Sequence, residues 1–420
     1  MARASYFALS YKKEFVYSNS FFSVKSVTYK LLLKKYPIQF WLLCLSTLLF
    51  FFSFTILIPE LPDYITSLGG EDYKGWTIGL FTIAAGLSRP ISGKLADIIG
   101  RKPIMIFGGV VCIAMSLLYP LFTFVFGFLF LRFFHGLSTG FMPTGSVAYL
   151  ADIIPADRRG EAMGLIGIMN NIGMMSGYAM SSIIMRNLGL NNMFYLSGIL
   201  AFLSVVFILT MKESLPKTKP LKLAYFKLEK EDLWDSRAKE PALLMLLTVA
   251  MFGAIITLIP DYSVGLGIEN KGLFISIMTV STIFTRLFTS KLSDIKGRIY
   301  SCKIGTSFWV IAAVLLMFRQ EELFYLSAIF SGLASGINSP ALFAWAVDVA
   351  NGIRAGRAMA TLFIALEAGI TIGAVVSAAI YNNIFANFTF VFLGVALMSL
   401  IALLYLFVGV QKQDPKSIAN

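Results

Sequence analysis

A single histidine, His135, is present in the 420 residues, and only three cysteines accompany it. Cys44, Cys112 and Cys302 stand at unrelated spacings, so neither a disulfide framework nor a metal-ligand cluster is implied. Without a nucleophile–base pair or a metal set, the chain is not expected to be an enzyme or to need a cofactor. No phosphate-cradling G-x-x-x-x-G-K-S/T loop occurs, which argues against ATP as a driving force. Charge is scarce too. Charged residues make up 14% of the chain against 57% hydrophobic, a balance no ordinary soluble globule has. No small-residue cleavage pattern follows the first long apolar run, so a cleavable leader is not expected.

The apolar residues fall into twelve runs of about 20 or more residues, each long enough to cross a bilayer. They cover approximately 38–60, 74–97, 103–122, 125–152, 159–184 and 191–211, then 241–262, 271–293, 301–319, 322–348, 356–381 and 386–409. The net charge of +12 is distributed unevenly across this topology. Lys74, Arg186, Lys271 and Arg319 fall outside, and Arg89, Arg132 and Arg286 fall within spans. The remaining Lys and Arg lie on the side of the N-terminus. Such asymmetry places both termini in the cytoplasm. The basic balance is therefore topological, with some attraction to anionic lipid heads, and nucleic acid is not an expected partner.

A charged hairpin is duplicated. Ser88–Arg101 reads SRPISGKLADIIGR and returns at Thr285–Arg298 as TRLFTSKLSDIKGR. Arg89, Lys94, Leu95, Asp97, Ile98, Gly100 and Arg101 each meet an identical residue 197 positions on. Two membrane-embedded halves built on one plan follow from this. Gly93 lets two helix backbones approach, and Gly100 and its copy Gly297 tolerate the positive φ of a tight turn. The first hairpin resembles the loop between helices two and three of major facilitator superfamily transporters. In that family the acid at the Asp97 position braces a helix of the opposite half. The resemblance thus makes Gly93, Asp97, Gly100 and Arg101, with Asp294, Gly297 and Arg298 in the repeat, the residues of an inner gate.

Other features resemble the drug/proton antiporter branch, of the tetracycline-exporter kind. Pro59 and Pro62 close the first span as a proline pair does there. Arg132 and Gly136 match a helix-four arginine motif, with His135 where glutamine is usual. Gly164, Gly173 and Gly177 keep the helix-five antiporter spacing, although Tyr178 replaces its proline and Ser181-Ser182 its final glycine pair. Small residues at that spacing let helices of opposite halves pack closely. Gly136 and Gly140 form a G-x-x-x-G packing face, repeated at Gly332 and Gly336. The match of Gly136–Gly140 to the hydrolase elbow G-x-S-x-G is accidental, because it lies in a hydrophobic helix.

Polar groups inside spans are the candidates for function. Arg132 lies about 10 Å deep and either faces a polar cavity or carboxylate, or is tied to a carbonyl. His135 is a hydrogen-bonded core residue or a proton relay. Glu60 is a solvated acid at the outer end of the first span, or reaches the pathway. Asn170 and Asn171 lie near mid-membrane and need partners, and Asn338 and Glu367 are the second-half candidates. Glu367 sits roughly 16 Å deep with no cation in its own run. It either carries the coupling proton or meets a cationic substrate, or is a neutral acid bonded between helices. Its repeat partner is Asn171, 196 positions earlier.

The expected molecule is an all-α integral membrane protein with twelve transmembrane helices in two pseudo-symmetric six-helix bundles. A cytoplasmic tail over 1–36, halves at 37–211 and 241–410, a cytoplasmic linker at 212–240 and a tail at 411–420 make up the chain. The resemblance implies a monomeric, multi-pass carrier of the plasma (inner) membrane, exporting small amphipathic molecules in exchange for protons. A proton symporter, or an exporter dedicated to one metabolite, siderophore or lipid, is the alternative.

Overall fold

A bilayer offers no water to unpaired backbone groups, so the apolar runs must close their hydrogen bonds internally as helices. The computed structural model describes residues 36–155, 158–228, 234–289, 292–350 and 355–410. The two expected tails therefore lie outside the described residues, apart from Tyr36. Nine described helices are long and apolar enough to span a membrane. One of them, Arg159–Thr210, has 52 residues and would be about 78 Å long if straight, over twice the bilayer core. Gly189 breaks it with φ +76°, a conformation glycine adopts without a steric penalty. Two further helices, Lys74–Ile99 and Leu273–Thr289, complete the set of twelve.

In chain order the spans are α1 Ile38–Thr55, α2 Lys74–Ile99, α3 Arg101–Leu118 and α4 Val125–Ile153. The arms 159–188 and 190–210 are α5 and α6. The second bundle holds α7 Lys239–Gly265, α8 Leu273–Thr289, α9 Arg298–Leu316, α10 Glu321–Val349, α11 Ala355–Tyr381 and α12 Phe388–Val408. The copy of the hairpin is carried by the helical segments Leu273–Thr289 and Leu292–Lys296. Short 3-10 turns at Leu223–Phe226 and Ser236–Ala238 mark the linker.

Within each bundle the packing follows the duplicated sequence. α2 packs on α4 and α8 on α10. A Cβ at Gly136 would sit 2.0 Å from the Phe81 carbonyl, and one at Gly332 2.4 Å from the Met278 carbonyl. The small-residue faces therefore let backbone meet backbone, as the spacing predicts. Outside, Phe126, Phe130, Phe288 and Phe390 are all more than half exposed, an apolar girdle suited to lipid.

The linker lies at one end of the bundles, together with the turns at Gly100 and Gly297; we call this the linker face and the opposite end the distal face. Gly100 and Gly297 take φ of +117° and +97°, as their turns require. Two glycine expectations need correction. A Cβ at Gly93 would meet only Thr144, at 4.0 Å, so no close helix approach depends on it. Gly173 and Gly177 face α1 of their own bundle, where a Cβ would lie 2.3 Å from the Leu48 carbonyl and 2.1 Å from the Thr55 hydroxyl, and one at Gly164 would meet open space. The helix-five spacing thus serves packing within one bundle, where Gly173 and Gly177 let α5 lie directly against the α1 backbone.

Candidate functional site

The bundles meet along two helix pairs, α2 with α11 and α8 with α5, and the distal end of each is clasped by charge. After the first helix stops at Thr55, Pro59 and Pro62 start short turns that bring Glu60 and Asp63 to the bundle interface. Lys271 donates to Glu60 at 2.7 Å and to Asp63 at 2.5 Å, and Ser182 holds the other Glu60 oxygen at 2.8 Å. Across the pseudo-twofold, Lys74 donates to Asp261 at 2.5 Å. Glu60 is only 2% exposed, so the alternative of a solvated acid is set aside; its partner comes from the opposite bundle. Arg186 and Glu269 add a third inter-bundle pair at 2.6 Å, but exposed as it is, it contributes little.

Deeper along α2, every seventh residue faces α11. Gly75 abuts the Ala374 carbonyl, where a Cβ would lie 2.6 Å away. The Thr82 hydroxyl meets that of Thr371 at 2.8 Å. Arg89 then donates through Nε and Nη2 to Glu367 Oε1, at 3.0 and 2.8 Å. Its guanidinium also lies 4.5 Å from the Phe363 ring centroid. Glu367 itself is 6% exposed. The cation absent from the residues around Glu367 comes from 278 residues away. Residue Pro90 follows Arg89 inside the helix and removes one backbone donor to the preceding turn.

Arg132 does not join this pair. Its Nε donates to the Thr77 carbonyl at 2.8 Å and its Nη1 to Tyr119 at 3.4 Å, while Phe81 stacks against it at 4.5 Å. Of the two readings of Arg132, the tie to a carbonyl is the one the geometry shows. His135, fully buried, joins the same cluster through the Tyr119 hydroxyl at 2.8 Å and the Cys112 sulfur at 3.3 Å. Asn338 lies within the second bundle, its amide reaching Thr306 at 3.5 Å across α9 and α10. Asn170 and Asn171 are on α5, half-buried, and Asn170 Oδ1 is buried without a hydrogen-bond partner.

At the linker face the two hairpins repeat each other bond for bond. Arg101 holds Asp97 through Nη1 and Asp152 through Nε at 3.1 Å; Arg298 holds Asp294 and, at 2.8 Å, Asp348. Glu213 accepts from the Arg101 and Lys102 backbone N–H groups at 3.0 Å each, satisfying the start of α3. Both gate acids therefore bond arginines of their own bundle rather than bracing the opposite one, and both are mainly exposed. The molecule is clasped distally while its hairpins keep to themselves at the linker face.

Lys74, Lys271, Arg89 and Asp261 are the interface residues that motif reading passed over. Extending the 197-residue offset along the whole of α2 would have found them. Lys74, Gly75, Thr82 and Arg89 return as Lys271, Gly272, Thr279 and Arg286. Pro62-Asp63-Tyr64 returns at Pro260-Asp261-Tyr262.

Two six-helix bundles around a polar interface, joined at one end by ion pairs, define the fold of a two-bundle secondary transporter. The chain belongs to the Major Facilitator Superfamily, whose sequence profile matches residues 43–320 and 271–420. Its members are transporters, not enzymes. The chain is 32% identical over 162 residues to the multi-drug resistance efflux pump PmrA of Streptococcus pneumoniae serotype 4, covering 37% of this chain. That match spans only 40% of the pump's own length. A PmrA homolog of Lactococcus lactis is 25% identical over 380 residues, 86% of this chain and 92% of that one. The staphylopine export protein of Staphylococcus aureus is 24% identical over 348 residues, 79% and 86% of the two chains. Among solved structures, the human organic anion transporter MFSD10 superposes with a TM-score of 0.69 at 19% identity, over 88% of this chain and all of that one. A peptide transporter of the POT type gives 0.72 at 16%, over 88% and 94%. These structural likenesses concern the fold.

Proposed function

We propose that this protein is a proton-coupled exporter of small amphipathic molecules, working by alternating access, with Arg89 and Glu367 as its coupling pair. The observation that carries this reading is the buried ion pair between bundles, placed below the distal clasps. While Glu367 is ionised it holds Arg89, and so holds α11 against α2. A proton on Glu367, or a substrate that engages either partner, weakens that hold and frees the bundles to rock. A charge-assisted hydrogen bond contributes about 1.5–3 kcal/mol, enough to bias a nearly balanced two-state equilibrium. A carrier that is locked when empty and deprotonated exchanges one ligand for the other. Symport needs that empty state to switch freely, so exchange is the better fit. The linker face, rich in Lys and Arg, is the cytoplasmic one on this reading, and export is also the activity named for the bacterial relatives above.

Inside-out vesicles given a panel of amphipathic dyes in the surrounding medium test it. Wild-type protein should accumulate dye when a proton gradient is imposed, and Glu367→Gln should reduce that accumulation at least tenfold with insertion intact. Transport by Glu367→Gln with an unaltered pH dependence would remove Glu367 from the coupling role, leaving Glu60 as the next candidate.

A further inference from the structure

The pseudo-twofold leaves one cation without its acid. Gly75 and Gly272 are equivalent, and so are their contacts: a Cβ on Gly75 would strike the Ala374 carbonyl, one on Gly272 the Tyr178 carbonyl at 1.8 Å. Position 374 less 196 is 178, so the α8–α5 contact has the register of the α2–α11 contact. Seven and fourteen residues along, Thr279 repeats Thr82 and Arg286 repeats Arg89 on the same helical stripe. The residue that register sets opposite Arg286 is Asn171, where the other pair has Glu367. An amide has replaced the carboxylate.

The side chains agree with that bookkeeping. Arg286 forms no ion pair or hydrogen bond among the described residues, and its Nε is buried with no partner. The neighbouring Asn170 Oδ1 is likewise buried and unsatisfied. Arg132, the fully buried arginine of the first bundle, has a carbonyl, a hydroxyl and a ring around it. A guanidinium inside a membrane span with nothing to bind is a strong call for an anion. α8 packs less extensively against the 159–210 helix than α2 does against α11, and a Cβ at Gly167 of α5 would meet only open space.

Resting on the transporter reading above, we infer that Arg286 anchors the carboxylate of an amphipathic organic anion or zwitterion, with the Asn170–Asn171 amides beside it. The planar fork of arginine fits two carboxylate oxygens at once, which would give this site a preference for carboxylate over a neutral isostere. The acid missing from the protein is supplied by the substrate. One bundle interface then carries the fixed acid that couples to protons and the other carries the vacancy that reads the cargo.

Binding without any gradient isolates this site from coupling. Purified protein in phosphatidylcholine nanodiscs would be titrated with dansylglycine, a carboxylate, and with dansylamide, its uncharged relative. Wild type should bind dansylglycine at least tenfold more tightly, about 1.4 kcal/mol. Arg286→Gln should lose that preference while binding dansylamide unchanged, and Arg286→Lys should keep part of it. Asn171→Glu guards against misfolding, because it restores the missing pair: dansylglycine binding should vanish and thermal stability should not fall. No preference in wild type, or a preference surviving in Arg286→Gln or Asn171→Glu, would overturn the inference. So would displacement of dansylglycine by added phosphatidylglycerol, which would make the anion a lipid headgroup. A protein that binds as expected yet shows no proton-driven transport would refute the coupling proposal and leave this one standing.

Discussion

Glu367 and Asn171 occupy equivalent places in the two bundles, and the exchange of a carboxylate for a shorter amide separates an ion pair from an arginine with no acid opposite it. His135 shows the opposite case, a polar group whose partners all lie within its own bundle. It is fully buried, and both ring nitrogens have neighbours, the Tyr119 hydroxyl and the Cys112 sulfur. Charging it would place a second cation beside Arg132, which shares the Tyr119 hydroxyl. His135→Gln keeps a polar group at that point and restores the residue usual in the family motif. Its transport should therefore retain the wild-type pH profile, within about twofold in rate. A pH profile displaced by this substitution would make His135 part of the proton path. Arg132 and His135 are thus read as packing groups of the first bundle, whose polar atoms are satisfied locally.

Helix α8 carries a stripe in which glycine, threonine and arginine recur at seven-residue intervals, and the glycine decides how closely α5 can come. A methyl at Gly272 would lie 1.8 Å from a backbone oxygen, which no side-chain rotation relieves. Overpacking of this kind costs about 1–3 kcal/mol. Because α5 and α8 belong to different bundles, the strain falls on the distally closed state alone. Gly272→Ala should shift the equilibrium toward distal opening by roughly 5–150-fold. The readout is a cysteine placed at Thr82, buried under the clasps, in a background without the native cysteines. Labelling from outside the cell should accelerate in Gly272→Ala and stay slow in the parent. Equal rates would mean that the α5–α8 contact does not gate the distal face.

At the level of the whole molecule, the Lys74, Lys271 and Arg186 ion pairs join the bundles at the distal end, Arg89–Glu367 lies deeper, and the duplicated hairpins sit at the other end. This fixes which residues share a side. Lys102 and the linker residue Lys217 belong to the linker face, and Glu71 to the distal loop between the first two spans. With basic residues concentrated on the linker face, single cysteines at 102 and 217 should resist an impermeant thiol reagent in intact cells, and one at 71 should react. Reaction at 217 would invert the topology and with it the direction assigned to transport. The clasps also account for the distal closure of this structure. Lys271 holds two acids at once and Lys74 holds a third, so distal closure is the electrostatically satisfied arrangement of this chain.

The sequence alone determined twelve spans, the duplication, the positive φ at Gly100 and Gly297 and the candidacy of Glu367. Each of these follows from local rules: run length against bilayer thickness, the tolerance of glycine, the desolvation of an intramembrane acid. It even held the offset linking Arg89 to Arg286 and Glu367 to Asn171. Its reading of Gly164, Gly173 and Gly177 as an inter-bundle face failed, because spacing tells which residues share a helix face and not which helix that face meets. Partnership was settled only when the bundles docked. Glu367 found Arg89, Glu60 found Lys271, and Arg132 was left to a carbonyl, since pairing across hundreds of residues depends on the angle and register of two rigid bundles. Hydropathy and spacing carry no term for that docking, and it is the docking that separates an acid held by arginine from an arginine left for a ligand.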